Sequence, residues 1–301
     1  MADAKAVFMF PGQGSQYPGM GKNLYDKYEI AREVFRRVEQ FMGKDFLELM
    51  FYGSEEDLKD TRNAQPAIYS VSAAALETLR HDRNMRCDMV MGHSLGEFSA
   101  LYAAGVIEFM QGLRLVRIRG ELMAEMAGAR SGGMAAIIGL DEEEINRSVE
   151  KYPDVIVANY NAPGQIVISG GSENLAKVLE ELRPKARRIV PLKVSGAFHS
   201  PLMENAAREF RKHLIKSEMH PPKVPIAMNT LGRLTTDLNE IYDALVKQLM
   251  GSVRFIEMTL DTYRAGGRKY IEVGPGKVLQ GLVKRILKDT EVEISGTEDI
   301  L

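Results

Sequence analysis

Three observations predict an α/β fold with a largely parallel sheet. Short apolar runs closed by glycine alternate with longer stretches of helical period. The 301 residues, 45% hydrophobic and 27% charged with no low-complexity tract, suffice for a sizeable core. A middle stretch switches to a different element order, which marks an inserted unit within a larger one.

The elements are read in order. Ala6 to Phe10 forms a first strand that ends at Pro11-Gly12-Gln13-Gly14-Ser15-Gln16. Leu24 to Phe41 is helical, with Ile30, Val34, Phe35 and Val38 on one face. Pro66 to Arg80 is a second, alanine-rich helix, and proline suits its first position. Asp88 to Met91 is a buried strand that breaks at Gly92, before a helix over Glu97 to Ala104. From Gly132-Gly133 the pattern changes. An apolar run from Met134 to Leu140, an acidic helix start at Asp141, strands at Val155 to Ala158 and Gln165 to Ser169, a helix over Glu173 to Leu182 and a strand over Arg188 to Val194 give a β-α-β-β-α-β order. That order predicts a ferredoxin-like subdomain over residues 128–195, inserted in a large domain made of residues 1–127 and 196–301.

Composition excludes several functional classes. A formal charge of −2 gives no global attraction to nucleic acid or to an anionic membrane, so an acidic partner must meet a local basic patch. Arg187, Arg188, Lys284, Arg285 and Lys288 are candidates for one, although each taken singly reads as part of a solvated face. The single cysteine, Cys87, rules out an internal disulfide and leaves too few thiols for a structural zinc site. With no basic leader and no apolar run of membrane-spanning length, the expectation is a cytoplasmic protein.

Chemistry concentrates at Gly92-His93-Ser94-Leu95-Gly96, the one G-x-S-x-G in the chain, set between a buried strand and a helix. There a strained turn presents the Ser94 hydroxyl, while the Leu95 amide and the positive helix end face charge developing on a substrate carbonyl oxygen. Glu97, on the first helical turn, reads as a carboxylate that compensates the helix dipole rather than as a catalytic acid. A serine needs a base, and the chain has five histidines. His81 follows a helix end, His213 sits on a basic helical face, His220 precedes two prolines, and His93 is expected to project from the far side of the turn. His199 stands where the chain returns from the insert, at the cleft between the two units. The loop after the first strand matches neither phosphate-binding pattern: Tyr17 replaces the third glycine of G-x-G-x-x-G, and Asn23 follows Gly21-Lys22. It reads instead as a backbone-rich turn whose Gln13 amide is a candidate second oxyanion donor.

Pro11-Gly12-Gln13-Gly14-Ser15-Gln16, Gly92-His93-Ser94-Leu95-Gly96-Glu97, Ile118-Arg119-Gly120, Asn161-Ala162-Pro163-Gly164-Gln165, Phe198-His199-Ser200-Pro201 and Glu272-Val273-Gly274-Pro275-Gly276 together resemble the ordered motifs of malonyl-CoA:acyl carrier protein transacylases. The resemblance spans nearly the whole chain and extends to the acyltransferase domains of fatty acid and polyketide synthases. It implies an α/β-hydrolase-like large domain with a ferredoxin-like insert, and a catalytic dyad of Ser94 and His199. It implies an oxyanion hole from the Gln13 and Leu95 amides, Arg119 as the clamp on the malonyl carboxylate, and Asn161 and Gln65 at the substrate. A capping role beside Pro66 accounts for Gln65 nearly as well. The family orients its histidine through a backbone carbonyl near a later glutamine or asparagine, and Arg254 is expected to occupy that position. Phe198 beside the base and Leu95 beside the nucleophile resemble the malonyl-selective pattern. Malonyl-CoA and acyl carrier protein are the implied partners, and the coenzyme A thioester is a substrate; no cofactor or metal is implied. A serine esterase or thioesterase would place an acid and then a histidine after the serine, usually late in the chain, whereas about a hundred residues follow His199. A non-catalytic scaffold would not be expected to keep Ser94, His199 and Arg119 together.

Overall fold

A computed structural model describes residues 4–129, 131–194 and 196–301, so the expected end of the insert at residue 195 lies outside the described residues. Ten strands form two sheets: β1 Lys5–Phe10, β2 Met89–Gly92, β3 Gly132–Ile138, β4 Val155–Ala162, β5 Gln165–Gly171, β6 Arg188–Pro191, β7 Ile226–Met228, β8 Arg233–Thr235, β9 Gly267–Glu272 and β10 Glu293–Gly296. The larger sheet has the order β10-β9-β1-β2-β7-β8, parallel throughout except for β8, which pairs antiparallel with β7 at one edge. β1 lies at the centre, and its alternating side chains serve two cores. Phe8 and Phe10 enter a large cluster on one face, while Val7 and Met9 join Met89, Met91 and Tyr270 on the other. The smaller sheet is antiparallel with the order β4-β5-β3-β6, which in the unit's own numbering is 2-3-1-4, the ferredoxin-like arrangement. Ile137, Ile145, Val157, Ile168 and Val178 fill its own core between sheet and helices. The fold is α/β with two layered units, and β4 reaches across to the larger one through paired hydrogen bonds between Val253 and the Ala158–Tyr160 backbone.

Two helices depart from the sequence reading. The expected helix over Leu24 to Phe41 is two helices, Lys22–Lys27 and Glu29–Met42, because Tyr28 is extended at φ −119° and ψ 123°. Arg32 makes that break stable, donating from Nε to the Tyr25 carbonyl and from a terminal nitrogen to the Asp26 carbonyl at the open end of the first helix. The helix expected to begin at Pro66 starts earlier and spans Thr61–Asp82, capped by the Asp60 side chain on the Arg62 amide. Proline there forfeits one bond in the second turn, which burial of Thr61, Ala64 and Gln65 offsets.

The turn after β2 is where the backbone is forced. Ser94 has φ 51°, a left-handed conformation rare for a residue with a side chain. Gly92 and Gly96 make this possible by approaching other backbone directly: a Cβ on Gly92 would strike the Gly96 carbonyl, and one on Gly96 would strike the Phe10 carbonyl. Gly96→Ala is therefore expected to lower stability by about 1–3 kcal/mol through overpacking. Gly281→Ala, on a helix with open space around the added methyl, should be neutral or raise it by about 0.5–1 kcal/mol. Urea unfolding of the two variants checks this; equal effects would mean the turn tolerates a Cβ.

Candidate active site

Ser94 stands at the carboxyl end of the central β2, and the helix Gly96–Ala103 begins two residues later. Its Oγ lies 2.7 Å from His199 Nε2, although 105 residues separate the two. His199 Nδ1 donates to the Gln248 carbonyl at 2.8 Å and to the Gly251 carbonyl at 3.2 Å. With Nδ1 carrying its hydrogen, the Nε2 lone pair faces the serine hydroxyl. Gln248 is the last residue of the helix Leu238–Gln248, so its carbonyl is one of those a helix end leaves without an internal partner. The negative end of that helix favours a positive charge on the imidazole. His199 itself has φ 56°, so nucleophile and base both sit in strained backbone.

Arg119, 1% exposed, lies on the helix Phe109–Ala129 and reaches the same point. It donates to Gln65 Oε1 at 2.6 Å from one terminal nitrogen, and from the other to Ser94 Oγ at 3.1 Å and Gln248 Oε1 at 3.0 Å. Among the described residues, its Nε–H is buried without an acceptor and no carboxylate bonds to this guanidinium; the nearby Glu97 acts on it through space. Burial pushes Arg119 down to about 10 against the pull of Glu97. Burial, and then the charge of Arg119, push the His199 imidazole down to about 3. Burial raises Glu97 to about 7, opposed by hydrogen bonds from Asn229 and Gln248 and by Arg119.

These groups face a cavity of about 290 Å³ between the two units. Ser94, His199, Arg119, His93 and Asn159 supply its polar wall, Met123, Met134, Leu192, Val194 and Phe198 its apolar wall, and Gln13, Gly14, Lys59 and Lys193 lie along it. Among the described residues, neither the Gln13 nor the Leu95 backbone N–H has a backbone acceptor. Phe198 lines the same cavity as His199.

Four expectations need correction. Arg254 does not orient His199: its amide donates to the Asn229 carbonyl and its side chain pairs with Glu257, while Gln248 and Gly251 hold the imidazole. The carbonyl that takes the expected role stands at the end of helix Leu238–Gln248, six residues upstream of Arg254. Gln65 is wholly buried in the second turn of its helix, where it is neither a cap nor part of the cavity wall; it holds Arg119. Asn161 does not line the cavity either, since its Oδ1 is 2.8 Å from His93 Nε2 and Asn159 takes the wall position. His93 does not point away; its ring lines the cavity, held by Asn161 and packed against Phe255. The sequence reading missed Asn229 altogether. Its Oδ1 accepts from the Ser94 amide at 2.7 Å and its Nδ2 donates to the Gly92 carbonyl at 2.7 Å, so it straps the strained turn. A polar residue directly after the apolar run Ile226-Ala227-Met228, at the carboxyl end of a strand, was the available signal.

The acyl transferase domain family matches residues 7–298. Malonyl CoA-acyl carrier protein transacylase from Bacillus subtilis (strain 168) is 40% identical over 288 residues, covering 94% of this chain and 90% of that protein. The chain belongs to the malonyl CoA-acyl carrier protein transacylase family. A crystal structure of an acyl carrier protein S-malonyltransferase from Vibrio cholerae superposes with a TM-score of 0.92 at 38% identity, covering 97% of this chain and 96% of that one. A type II polyketide synthase acyl-carrier protein in complex with its malonyl-transacylase matches with a TM-score of 0.91 at 35% identity, over 97% of this chain and 95% of that one. Among the described residues, no helix is long and apolar enough to cross a membrane, and no group of three or more histidine, cysteine or acidic side chains is placed to hold a metal ion.

With His199 held down to about 3, the imidazole is neutral at every pH above roughly 4 and able to accept a proton throughout the physiological range. Nitrogen-15 NMR of the folded protein should find the His199 ring neutral, with hydrogen on Nδ1, from pH 8 to pH 5. Titration near the ordinary histidine value of about 6.5 would contradict the burial and charge assigned to it.

Proposed function

We propose that the protein moves a malonyl group from malonyl-CoA to the phosphopantetheine thiol of an acyl carrier protein through a malonyl ester on Ser94. One observation carries this reading: a buried arginine lines the serine-histidine cavity, and its Nε–H has no acceptor among the described residues. A neutral acyl group would leave that donor unmet, whereas the free carboxylate of malonyl matches a planar guanidinium edge. Family membership and the relative in complex with its carrier support the same pair of substrates.

In the first half-reaction His199 Nε2 takes the Ser94 proton as Oγ attacks the thioester carbonyl carbon. The amides of Gln13 and Leu95 receive the negative oxygen, and the Gly96–Ala103 helix end adds its positive field. The carbon–sulfur bond breaks as His199 gives that proton to the leaving sulfur, so coenzyme A departs as the thiol and the imidazole is neutral again. In the second half-reaction the carrier's thiol gives its proton to His199 and attacks the ester carbonyl; the Ser94 oxygen leaves and regains a proton from the imidazolium. Gln248 and Gly251, at the negative end of their helix, stabilise that imidazolium in both halves. Every step uses protein groups, so the cycle requires no cofactor. Asn161 acts on substrate through His93, and Gln65 through Arg119. Phe198 crowds the acyl group and favours malonyl over methylmalonyl, by about tenfold to two-hundredfold for one methyl group. We further assign residues 128–195 to the insert and 1–127 with 196–301 to the large domain, and place the reaction in the cytoplasm, in keeping with the single cysteine.

Arg119→Ala should cost malonyl-CoA more than a hundredfold in kcat/KM, since a carboxylate left unpaired in a desolvated pocket costs about 3–5 kcal/mol. Acetyl-CoA transfer should be unchanged or faster. Steady-state kinetics with both thioesters decides it, with a thermal melt to confirm folding; an equal loss for both would assign Arg119 to structure. His199→Ala should slow single-turnover acylation by about a hundredfold to ten-thousandfold, and an unchanged rate would remove it from the mechanism.

A further inference from the structure

Glu97 does more than face a helix dipole. It is wholly buried, and both carboxylate oxygens are engaged: Oε1 accepts from the Asn229 backbone N–H at 2.6 Å, and Oε2 accepts from Gln248 Nε2. That same Nε2 donates to the Ser94 carbonyl at 2.9 Å, while Gln248 Oε1 accepts from Arg119. The chemistry of the neighbours dictates this orientation of the amide. The Ser94 carbonyl can only accept, so the nitrogen must face it and the ionised Glu97 beside it, and the guanidinium can only donate, so the oxygen must face it.

We infer that Glu97 is a positioning residue that fixes the Gln248 amide and thereby hands Arg119 the acceptor that aims it at the acyl carboxylate. The inference rests on the Arg119 reading given above and deepens it: substrate selectivity is set by a buried relay two side chains removed from the substrate. Glu97→Gln breaks the relay without changing shape. The Asn229 amide is fixed backbone and claims the new side chain's oxygen, so the new NH₂ meets Gln248 Nε2, donor against donor. A flip of Gln248 relieves that clash but turns NH₂ toward Arg119 and sets oxygen against the Ser94 carbonyl. The first arrangement loses the contact to position 97, and the flipped one loses two, to Ser94 and to the charged Arg119.

The test measures kcat/KM for malonyl-CoA and acetyl-CoA in wild type, Glu97→Gln, the exchanged double variant Glu97→Gln/Gln248→Glu, and Arg119→Ala, together with the guanidinium ¹⁵N–¹H resonances of Arg119. Glu97→Gln should lower the malonyl-to-acetyl ratio by about tenfold to a hundredfold and displace the Arg119 resonances. The exchanged pair restores a donor from position 97 and an acceptor toward Arg119 but gives up the bond to the Ser94 carbonyl, so it should slow both thioesters while it regains most of the ratio and returns the resonances toward wild type. If Glu97→Gln fails to fold and the exchanged pair folds with wild-type selectivity, the relay is equally supported. An unchanged ratio in a folded Glu97→Gln, or no recovery in the exchanged pair, overturns it. Should Arg119→Ala weaken both thioesters equally, the carboxylate clamp is what fails. The relay is then judged on the Arg119 resonances alone, displaced and restored if it holds, indifferent to position 97 if it does not.

Discussion

Ser94 is held at positive φ between a parallel strand and a short helix, and the site is arranged around keeping it there. Such a backbone costs on the order of 1–3 kcal/mol unless its surroundings over-determine it. Here they do. Gly92 and Gly96 let the turn close against Phe10, Asn229 bonds the Ser94 amide and the Gly92 carbonyl, and Gln248 bonds the Ser94 carbonyl. The same constraint brings the hydroxyl to His199.

The groups that hold the turn also hold its partners. Gln248 grips Ser94 and Arg119 with its side chain and His199 with its carbonyl, and Asn229 joins the turn to Glu97. Nucleophile, base and cation are therefore parts of one hydrogen-bonded network drawn from five separate segments. A fully satisfied buried network of this kind rigidifies a site, and a partly satisfied one is costly. Among the described residues, Arg119 Nε–H is buried without an acceptor, on a side chain that lines the cavity.

What the sequence made legible was local. The G-x-S-x-G turn, the alternation of apolar strand and helix, and the β-α-β-β-α-β run each depend on residues close in the chain, and the structure has them within a few positions. His199 could be chosen because it stands where the chain returns from the insert. Gln248 and Asn229 were not legible, since nothing near them in sequence reveals that they converge on a turn more than a hundred residues away. Arg254 was mistaken for the orienting position because the true acceptor is a helix-terminal backbone carbonyl, which packing and not side-chain identity brings to His199. His93 was misjudged for a related reason: the side a residue takes in a strained turn is set by its contacts, here Asn161 and Phe255, and not by its place in the motif.

The central claim is that acyl transfer passes through an ester on Ser94. The most direct measurement is mass spectrometry of the intact protein, then of its peptides, quenched after mixing with malonyl-CoA and no carrier. One malonyl group should add to the wild-type protein, map to the peptide containing Ser94, and disappear on addition of carrier protein. A malonyl adduct on Ser94→Ala, or a wild-type adduct on another residue, would contradict the account.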